Sequence, residues 1–534
     1  MKKDTLKRLV LATGSGLILS AAWPPYGFSP LLLFAFIPLL WMEEDYQGNS
    51  RVRFSFLVYF SFFIWNLLTS WWIYKATLFG AAMAIVCNAL FMTAVFLLFH
   101  GIKKRWGHIT GYTSLIAGWI SFEYLHLNWD LSWPWLTLGN GFSSSYKLVQ
   151  WYEYTGVLGG SAWILIVNIL IFQLLRERIR DRRKIHRPLL FCTLVLIFFP
   201  MIFSLALYSN YREKPNPVDI IVVQPNIDPY TEKFSGPVDE QMAKLLHLAS
   251  TQTDSSADYI ICPETALPAG IWENNMSEDN NIGIIRQFIR SYPKLKFICG
   301  LSSYRLYKKG EQHSVTARRF TRDEGYYDAY NSSMQIDSSP RIQIYHKSKL
   351  VPGVEKMPYP ALFGFLERYA IDMGGMSGSL GNQNERTVFI SPGDPVKIGT
   401  AICYESVYGE FFGEYVKKGA TLMSIITNDG WWGDTPGYRQ HLSYARLRAI
   451  ETRRSIARSA NTGISCFINQ RGDISMSTGW WKPAVIRGSL NASDRVTFYA
   501  RWGDYPGRLS ILASIAVLLR IFILKIKRKY DGKI

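Results

Sequence analysis

The sequence predicts a polytopic α-helical membrane domain of about eight spans joined to an α/β layered domain of roughly 290 residues. Three observations point there. The chain of 534 residues is 48% hydrophobic yet carries a formal net charge of +18, and the two properties are segregated. Apolar bulk fills the N-terminal part, while Lys and Arg stand in short runs between apolar stretches, the layout of a membrane protein. From Val218 the texture changes to short apolar runs alternating with helical periodicity. A nucleic-acid binder would instead line one soluble surface with its basic residues, so that class is set aside.

Taken in order, candidate spans cover roughly 8–22, 29–43, 54–74, 79–100, 110–126, 160–175 and 189–208, with a last one near 506–524. The first resembles a cleaved signal peptide in outline, but more apolar spans follow at once, so it reads as a retained helix. Loop charge tests the layout. Lys2, Lys3, Lys7 and Arg8 precede the first span, Arg51 and Arg53 follow the second, and Lys103, Lys104 and Arg105 follow the fourth. Arg176, Arg178, Arg180, Arg182, Arg183, Lys184 and Arg187 follow the sixth, and Lys525, Lys527, Arg528, Lys529 and Lys533 the last. The alternate loops hold little beyond Lys75 and Lys147. Basic loops mark the cytoplasmic side, so both termini are expected inside and the long polar segment outside. The expected domains are residues 1–212, with about seven membrane helices, 213–497, an extracytoplasmic α/β domain, and 498–534, a last helix with a basic cytoplasmic tail.

Glu123 falls in the fifth span, where an ionisable group is costly. It is either functional or a paired carboxylate near the span's outer end. The outer loop Trp129–Trp135 is aromatic-rich and reads either as an interfacial belt or as a rim that meets lipid. Cys87, Cys192, Cys262, Cys299, Cys403 and Cys466 lie far apart with no CxxC pair, so neither a metal site nor a disulfide framework is indicated.

In the α/β part, 218–224, 258–264 and 296–301 read as strands, with helices near 239–251 and 278–291 between them. Residues 330–336 and 341–347 read as a hairpin joined at Ser338-Ser-Pro340. Later come strands at 396–402 and 421–427, a helix over 406–419, another near 438–452, and strands to about 490.

Three chemically distinct side chains each close one of these strands: Glu264, Lys347 and Cys403. Cys403 stands where a strand turns sharply into a helix, whose N-terminus would favour a thiolate. A thiol needs a base to become a nucleophile, and a glutamate shielded from water has its pKa raised towards neutrality, which suits it to take and return that proton. An ammonium nearby would stabilise the oxyanion of a tetrahedral intermediate, together with a backbone N–H beside Cys403, that of Tyr404. Singly, each has a bland reading: a buried inert cysteine, a helix-cap carboxylate, a solvated strand end. Lys349 competes with Lys347 for the lysine role.

The set Pro263-Glu264-Thr-Ala, Tyr345-His-Lys347-Ser-Lys-Leu-Val-Pro-x-x-Glu355 and Ile402-Cys403-Tyr404-Glu405 resembles the Glu-Lys-Cys triad of the nitrilase superfamily. Thr427-Asn-Asp-Gly-Trp-Trp-Gly-Asp434, Gln440-His-Leu-Ser-Tyr-Ala-Arg446, Arg448-Ala-Ile-Glu451 and Arg458-Ser-Ala-Asn-Thr-Gly463 extend the match. With seven preceding membrane spans and one following, the chain resembles the apolipoprotein N-acyltransferase family over nearly its whole length. The resemblance implies an αββα nitrilase-like sandwich with Glu264 as general base, Lys347 as oxyanion stabiliser and Cys403 as nucleophile. Glu355, Tyr404 and Glu405 would support them, and Phe234, Trp135 and Trp431 would meet substrate. Phe234 stands roughly where the family has tryptophan. Gly430 and Trp432 replace the family's usual Ala and Phe, and Gly353-Val354 its usual Phe-Gly.

By that resemblance Cys403 takes an acyl chain from a phospholipid as a thioester. The α-amine of a diacylglyceryl-cysteine on an apolipoprotein then accepts it. The setting implied is a bacterial inner membrane, with phospholipid, lipoprotein and bilayer as partners, a monomer, and neither cofactor nor nucleic acid. Two alternatives stay open: a membrane-tethered nitrilase-like amidase, in which water resolves the thioester, and an inactive module scaffolding a lipid-linked glycosyltransferase. His441 is expected to pack against the sheet. Trp431 and Trp432 are either core or the border of an acyl pocket.

Overall fold

Apolar length builds the first part of the chain. In the computed structural model, which describes residues 2–46, 50–179, 186–320, 325–359 and 379–530, long helices dominate up to Asn210. One structural unit comprises Met1–Trp71, Ala81–Asn210 and Trp502–Ile534, and the other Trp72–Gly80 and Tyr211–Arg501. Arg180, Arg182, Arg183, Lys184 and Lys533 lie outside the described residues.

The helical unit holds α1 (Lys2–Ala21), α2 (Ile37–Glu44), α3 (Arg51–Ser70), α4 (Leu78–Trp106), α5 (His108–His126), α6 (Tyr152–Ile179) and α7 (Arg187–Asn210), with a C-terminal helix Tyr505–Tyr530. Among the described residues five helical segments are long and apolar enough to cross a membrane: Arg51–Lys75, Leu78–Trp106, Tyr152–Ile179, Arg187–Asn210 and Tyr505–Lys527. α1 and α5, of 20 and 19 residues, are not among these five.

The second expected span is not one helix. Ser29–Leu33 forms a 3₁₀ turn, and α2 has only 8 residues. Pro30 and Pro38 remove backbone donors from this stretch, which is why a continuous ladder fails. The segment still runs back along α1. Phe28 N–H bonds Ala21 C=O at one end (3.0 Å), and Lys7 Nζ bonds Asp45 at the other (2.8 Å). Lys103 Nζ also reaches Glu44 at 2.6 Å, and Arg176 faces Glu44 at 3.6 Å. The ends of α2, α4 and α6 and the start of α1 thus share one level, the level that the charge pattern marks as basic.

Glu123 is buried, its Oε1 accepting from Trp119 Nε1 (2.9 Å) and Leu138 N–H (2.8 Å). Trp135 is 1% exposed and stacks on Trp133 with centroids 5.5 Å apart. It belongs to the helical unit, and Trp129 and Trp133 of the same loop are half-buried.

The second unit has fourteen strands among the described residues: β1 (Pro217–Gln224), β2 (Tyr259–Ile261), β3 (Leu267–Trp272), β4 (Lys296–Leu306), β5 (Arg318–Arg319), β6 (Tyr326–Ile336), β7 (Ile342–His346), β8 (Val388–Ile390), β9 (Lys397–Ile402), β10 (Leu422–Thr427), β11 (Ile456–Ala460), β12 (Cys466–Ile468), β13 (Ile474–Ser475) and β14 (Ala484–Asn491). One sheet runs β14-β1-β2-β4-β6-β5, with β3 also on β4 and β7 also on β6. The other runs β13-β12-β11-β10-β9-β8, its centre β9-β10-β11 being parallel. Parallel strands buried on both faces read as unbroken apolar runs, as Leu422-Met-Ser-Ile-Ile-Thr427 does.

Helices α8 (Val238–Ser250) and α9 (Asn280–Arg290) close the outer face of the first sheet with Met242, Leu245 and Ala249 and with Ile282, Ile285 and Ile289, an i, i+3, i+7 stripe in each. Each fully buried Ile contributes about 1.5–3 kcal/mol. Asp279 starts α9 by accepting from Asn281 N–H (2.9 Å) and Ile282 N–H (3.3 Å). Helices α10 (Gly409–Lys417) and α11 (Pro436–Thr452) accompany the second sheet, where the Tyr415 hydroxyl bonds the Thr400 carbonyl at 2.8 Å. Between the sheets, Ser459 Oγ donates to Val223 C=O (2.9 Å). The result is an αββα sandwich.

Candidate active site

β2 and β3 lie on the same edge of β4, and the gap between them carries Glu264. The chain bulges there, with Thr265 at φ +44° and Gly300 N–H bonding Pro263 C=O at 3.1 Å. A Cβ on Gly300 would sit 2.6 Å from that carbonyl oxygen, so the bulge fits only because β4 has glycine opposite it.

From this bulge Glu264 points into a closed polar cluster. Its Oε1 accepts from Asn331 Nδ2 (2.7 Å) and Lys347 Nζ (3.1 Å), and its Oε2 from Asn428 N–H (3.0 Å). Lys347 follows β7, its N–H prolonging the ladder to Asn331 C=O at 2.8 Å. Its ammonium also donates to Glu355 Oε1 at 2.8 Å, and Glu355 Oε2 accepts from Val351 N–H at 2.8 Å. Lys349 stays apart from this cluster, its ammonium over the Tyr408 ring at 5.0 Å.

Cys403 ends β9 at φ +50°, a strained angle for a residue with a side chain. The helix expected from Ser406 begins later. Cys403–Val407 is a 3₁₀ turn, Tyr408 is extended, and α10 starts at Gly409, so the helix that follows does not begin at the sulfur. Glu405 braces the turn instead. Its Oε2 accepts from Ile402 N–H (2.8 Å), and its Oε1 from the Tyr345 hydroxyl (2.7 Å) and Ser348 N–H (2.6 Å). That one carboxylate ties the Cys403 turn to the segment after Lys347.

Charge states differ from the sequence expectation in two places. Burial alone would raise the pKa of Glu264, but the Lys347 ammonium, the Asn331 amide and Lys233 outweigh it and hold it below the usual carboxylate range. Burial depresses Lys347 less than Glu264 and Glu355 raise it, so it stays an ammonium. Burial, then the Glu264 charge, push the Cys403 thiol up, with Lys347 opposing. The resting site is therefore carboxylate, ammonium and thiol, not neutralised glutamate and thiolate. The opposite charges beside Glu264 explain why shielding from water does not raise its pKa.

Of the other expected residues, Tyr404 is buried against Tyr408, ring centroids 5.2 Å apart. Phe234 stacks on Trp431 at 6.4 Å, and Tyr230 donates its hydroxyl to Trp431 C=O at 2.8 Å. Sequence reasoning missed Asn331, Asn428 and Lys233. Lys233 is 2% exposed and donates to the Glu264 carbonyl at 2.8 Å, and burial lowers its pKa to about 8. A lysine next to Phe234 in a loop otherwise rich in Asp and Glu was the available signal. Among the described residues no group of three or more His, Cys, Asp or Glu side chains is placed to hold a metal.

The αββα sandwich is that of a carbon–nitrogen hydrolase domain, and residues 221–498 match the carbon-nitrogen hydrolase family. Residues 15–170 match the apolipoprotein N-acyltransferase N-terminal domain. The apolipoprotein N-acyltransferase of Chlorobaculum tepidum is 32% identical over 526 residues, 94% of this chain and 95% of that one. That of Geobacter metallireducens is 26% identical over 93% of this chain and 91% of its own. A solved CN-hydrolase superfamily protein from Xanthomonas campestris aligns over 52% of this chain and 92% of its own, at 14% identity and a TM-score of 0.36. The chain belongs to the apolipoprotein N-acyltransferase family.

Proposed function

We propose that this bacterial membrane protein N-acylates apolipoproteins by way of a thioester on Cys403. The observation that carries the reading is the Glu264 carboxylate, which shares Oε1 between Lys347 and Asn331 beside the Cys403 turn. In the first half-reaction Glu264 takes the Cys403 proton as sulfur attacks an ester carbonyl of a phospholipid. Lys347 and the Tyr404 N–H meet the oxyanion, groups of a kind worth about 10²–10³-fold each. Collapse breaks the ester C–O bond, and Glu264 returns the proton to the departing alkoxide, leaving lysophospholipid and thioester. In the second, the α-amine of a diacylglyceryl-cysteine attacks the thioester carbonyl and Glu264 accepts its proton. The C–S bond breaks, the amide forms, and sulfur regains the proton.

A membrane-held site suits this substrate. Moving an acyl chain into water costs about 0.8 kcal/mol per CH₂, which a site at the bilayer surface avoids. The alternating loop charges support cytoplasmic termini and an extracytoplasmic sheet unit.

The test is direct. Purified full-length protein is mixed with phospholipid carrying labelled acyl chains, and the Cys403 peptide is analysed by mass spectrometry. A thioester that persists in buffer and is discharged by a synthetic diacylglyceryl lipopeptide supports transfer. Release of free fatty acid with no amide product would favour the amidase reading, and an acyl group absent from Cys403 would overturn both.

A further inference from the structure

Beneath the Cys403 turn lies a second buried polar cluster that the reaction as described does not use. His441 on α11 is fully buried. Its Nδ1 lies 3.0 Å from Asp429 Oδ1 and 3.2 Å from Arg458 Nη2. Asp429 is in turn bound by Arg458 Nη2 (2.6 Å) and the Thr427 hydroxyl (2.7 Å), and Arg458 and His441 hold its pKa below the usual range against the effect of burial. On its other side, His441 Nε2 is 3.1 Å from Cys403 C=O and 2.8 Å from Ser406 Oγ.

The hydrogen positions follow from the partners. Cys403 C=O can only accept. Ser406 has one hydroxyl proton and gives it to that same carbonyl at 2.8 Å, so towards His441 it is an acceptor. A proton on Nε2 serves both contacts. The Cys403 carbonyl and the Tyr404 N–H belong to one planar peptide unit. A donor on the oxygen draws electron density through the amide and makes the N–H a stronger donor, as in hydrogen-bonded chains generally. The same bond pins a turn whose φ of +50° the side chain of Cys403 disfavours.

We infer that His441, oriented by Asp429 and Arg458, is a positioning residue that clamps and polarises the Cys403–Tyr404 peptide so that the Tyr404 N–H binds the oxyanion of both half-reactions. The inference rests on the proposed thioester chemistry at Cys403. His441 acts through the backbone and touches neither substrate nor sulfur in this role.

The experiment compares full-length His441→Gln and His441→Asn. A glutamine amide reaches the Nε2 position and can still donate to the Cys403 carbonyl. An asparagine amide reaches only the Nδ1 position, facing Asp429. Two rates are measured on the Cys403 peptide: acylation by labelled phospholipid, which develops an oxyanion, and alkylation by iodoacetamide, which does not. His441→Asn is expected to slow acylation by about 10–100-fold, less than outright loss of an oxyanion donor. Its alkylation should stay within about threefold of wild type, because the thiol's surroundings are unchanged. His441→Gln should recover most of the acylation rate. Acylation at the wild-type rate in His441→Asn overturns the inference. So does a parallel loss of both rates in both variants, or failure of both to fold, since then His441 only fills space. If wild-type protein alkylates at Cys403 but never acylates, the thioester reading fails instead.

Discussion

Glu355 holds the Lys347 ammonium at 2.8 Å, closer than Glu264 does at 3.1 Å. Two carboxylates share one cation, and Asn331 spans them by donating to Glu264 at 2.7 Å and to Glu355 at 3.0 Å. Glu355 thus keeps Lys347 from closing entirely onto the base. Glu355→Gln is expected to lower acyl-thioester formation by about tenfold or more, on the scale of displaced electrostatic groups. Labelled-acyl trapping on Cys403 reads it, and an unchanged rate would remove Glu355 from the site.

The charge balance at sulfur gives a prediction with opposite signs for two readouts. Glu264 raises the Cys403 pKa and Lys347 lowers it. Glu264→Gln should therefore shift the thiol's titration down and speed iodoacetamide alkylation at pH 8–9, while abolishing acyl transfer for want of a base. Lys347→Met should slow alkylation and also abolish transfer. A slower alkylation in Glu264→Gln would contradict the electrostatics.

Lys233 ties stability to pH. Its folded pKa of about 8 lies below the ordinary 10.5, because burial disfavours the charge. Between those values the unfolded chain binds more protons than the folded one, so stability from this group rises with pH through the window and is lost as pH falls back to 8. The full effect is at most about 3 kcal/mol. Thermal unfolding of wild type should gain on Lys233→Met between pH 8 and 10. Parallel curves would place the Lys233 pKa elsewhere.

Arg448 and Glu451 form a pair with neither side chain exposed to solvent, Nη2 to Oε1 at 2.9 Å, and Arg448 also donates to Val407 C=O at 2.6 Å. Glu451→Ala leaves a buried guanidinium without its carboxylate and is expected to cost about 3–5 kcal/mol, read as a lowered Tm. Glu451→Gln should cost less.

What could be read in advance follows a physical division. The stripes of α8 and α9 are legible because burial on one side imposes a period that local sequence must obey, and strand β10 because burial on both faces makes it an unbroken apolar run. The broken second span was not, since apolar content alone does not reveal that Pro30 and Pro38 interrupt the ladder. Glu264, Lys347 and Cys403 were visible as ionisable groups closing apolar strands. Asn331 was not, being one polar residue inside the strand Tyr326–Ile336, whose value depends on which strands lie beside it. His441 has the same history: its burial was expected, but its partners come from Asp429, Arg458 and the Cys403 turn, and no helical period encodes them. Shielding from water alone predicts a raised Glu264 pKa, and the donors that reverse it come from segments distant in sequence.

Trp72–Gly80, the link between two long apolar helices, belongs structurally to the sheet unit. Trp72 is 1% exposed, donates Nε1 to Gln440 at 3.1 Å and sets its ring edge-on to Trp432 at 5.0 Å. A gene fragment beginning at Tyr211 would therefore lack a piece of its own interior and leave an indole-sized hollow beside α11. Whoever wants this enzyme in water without detergent has to graft that nine-residue plug back on.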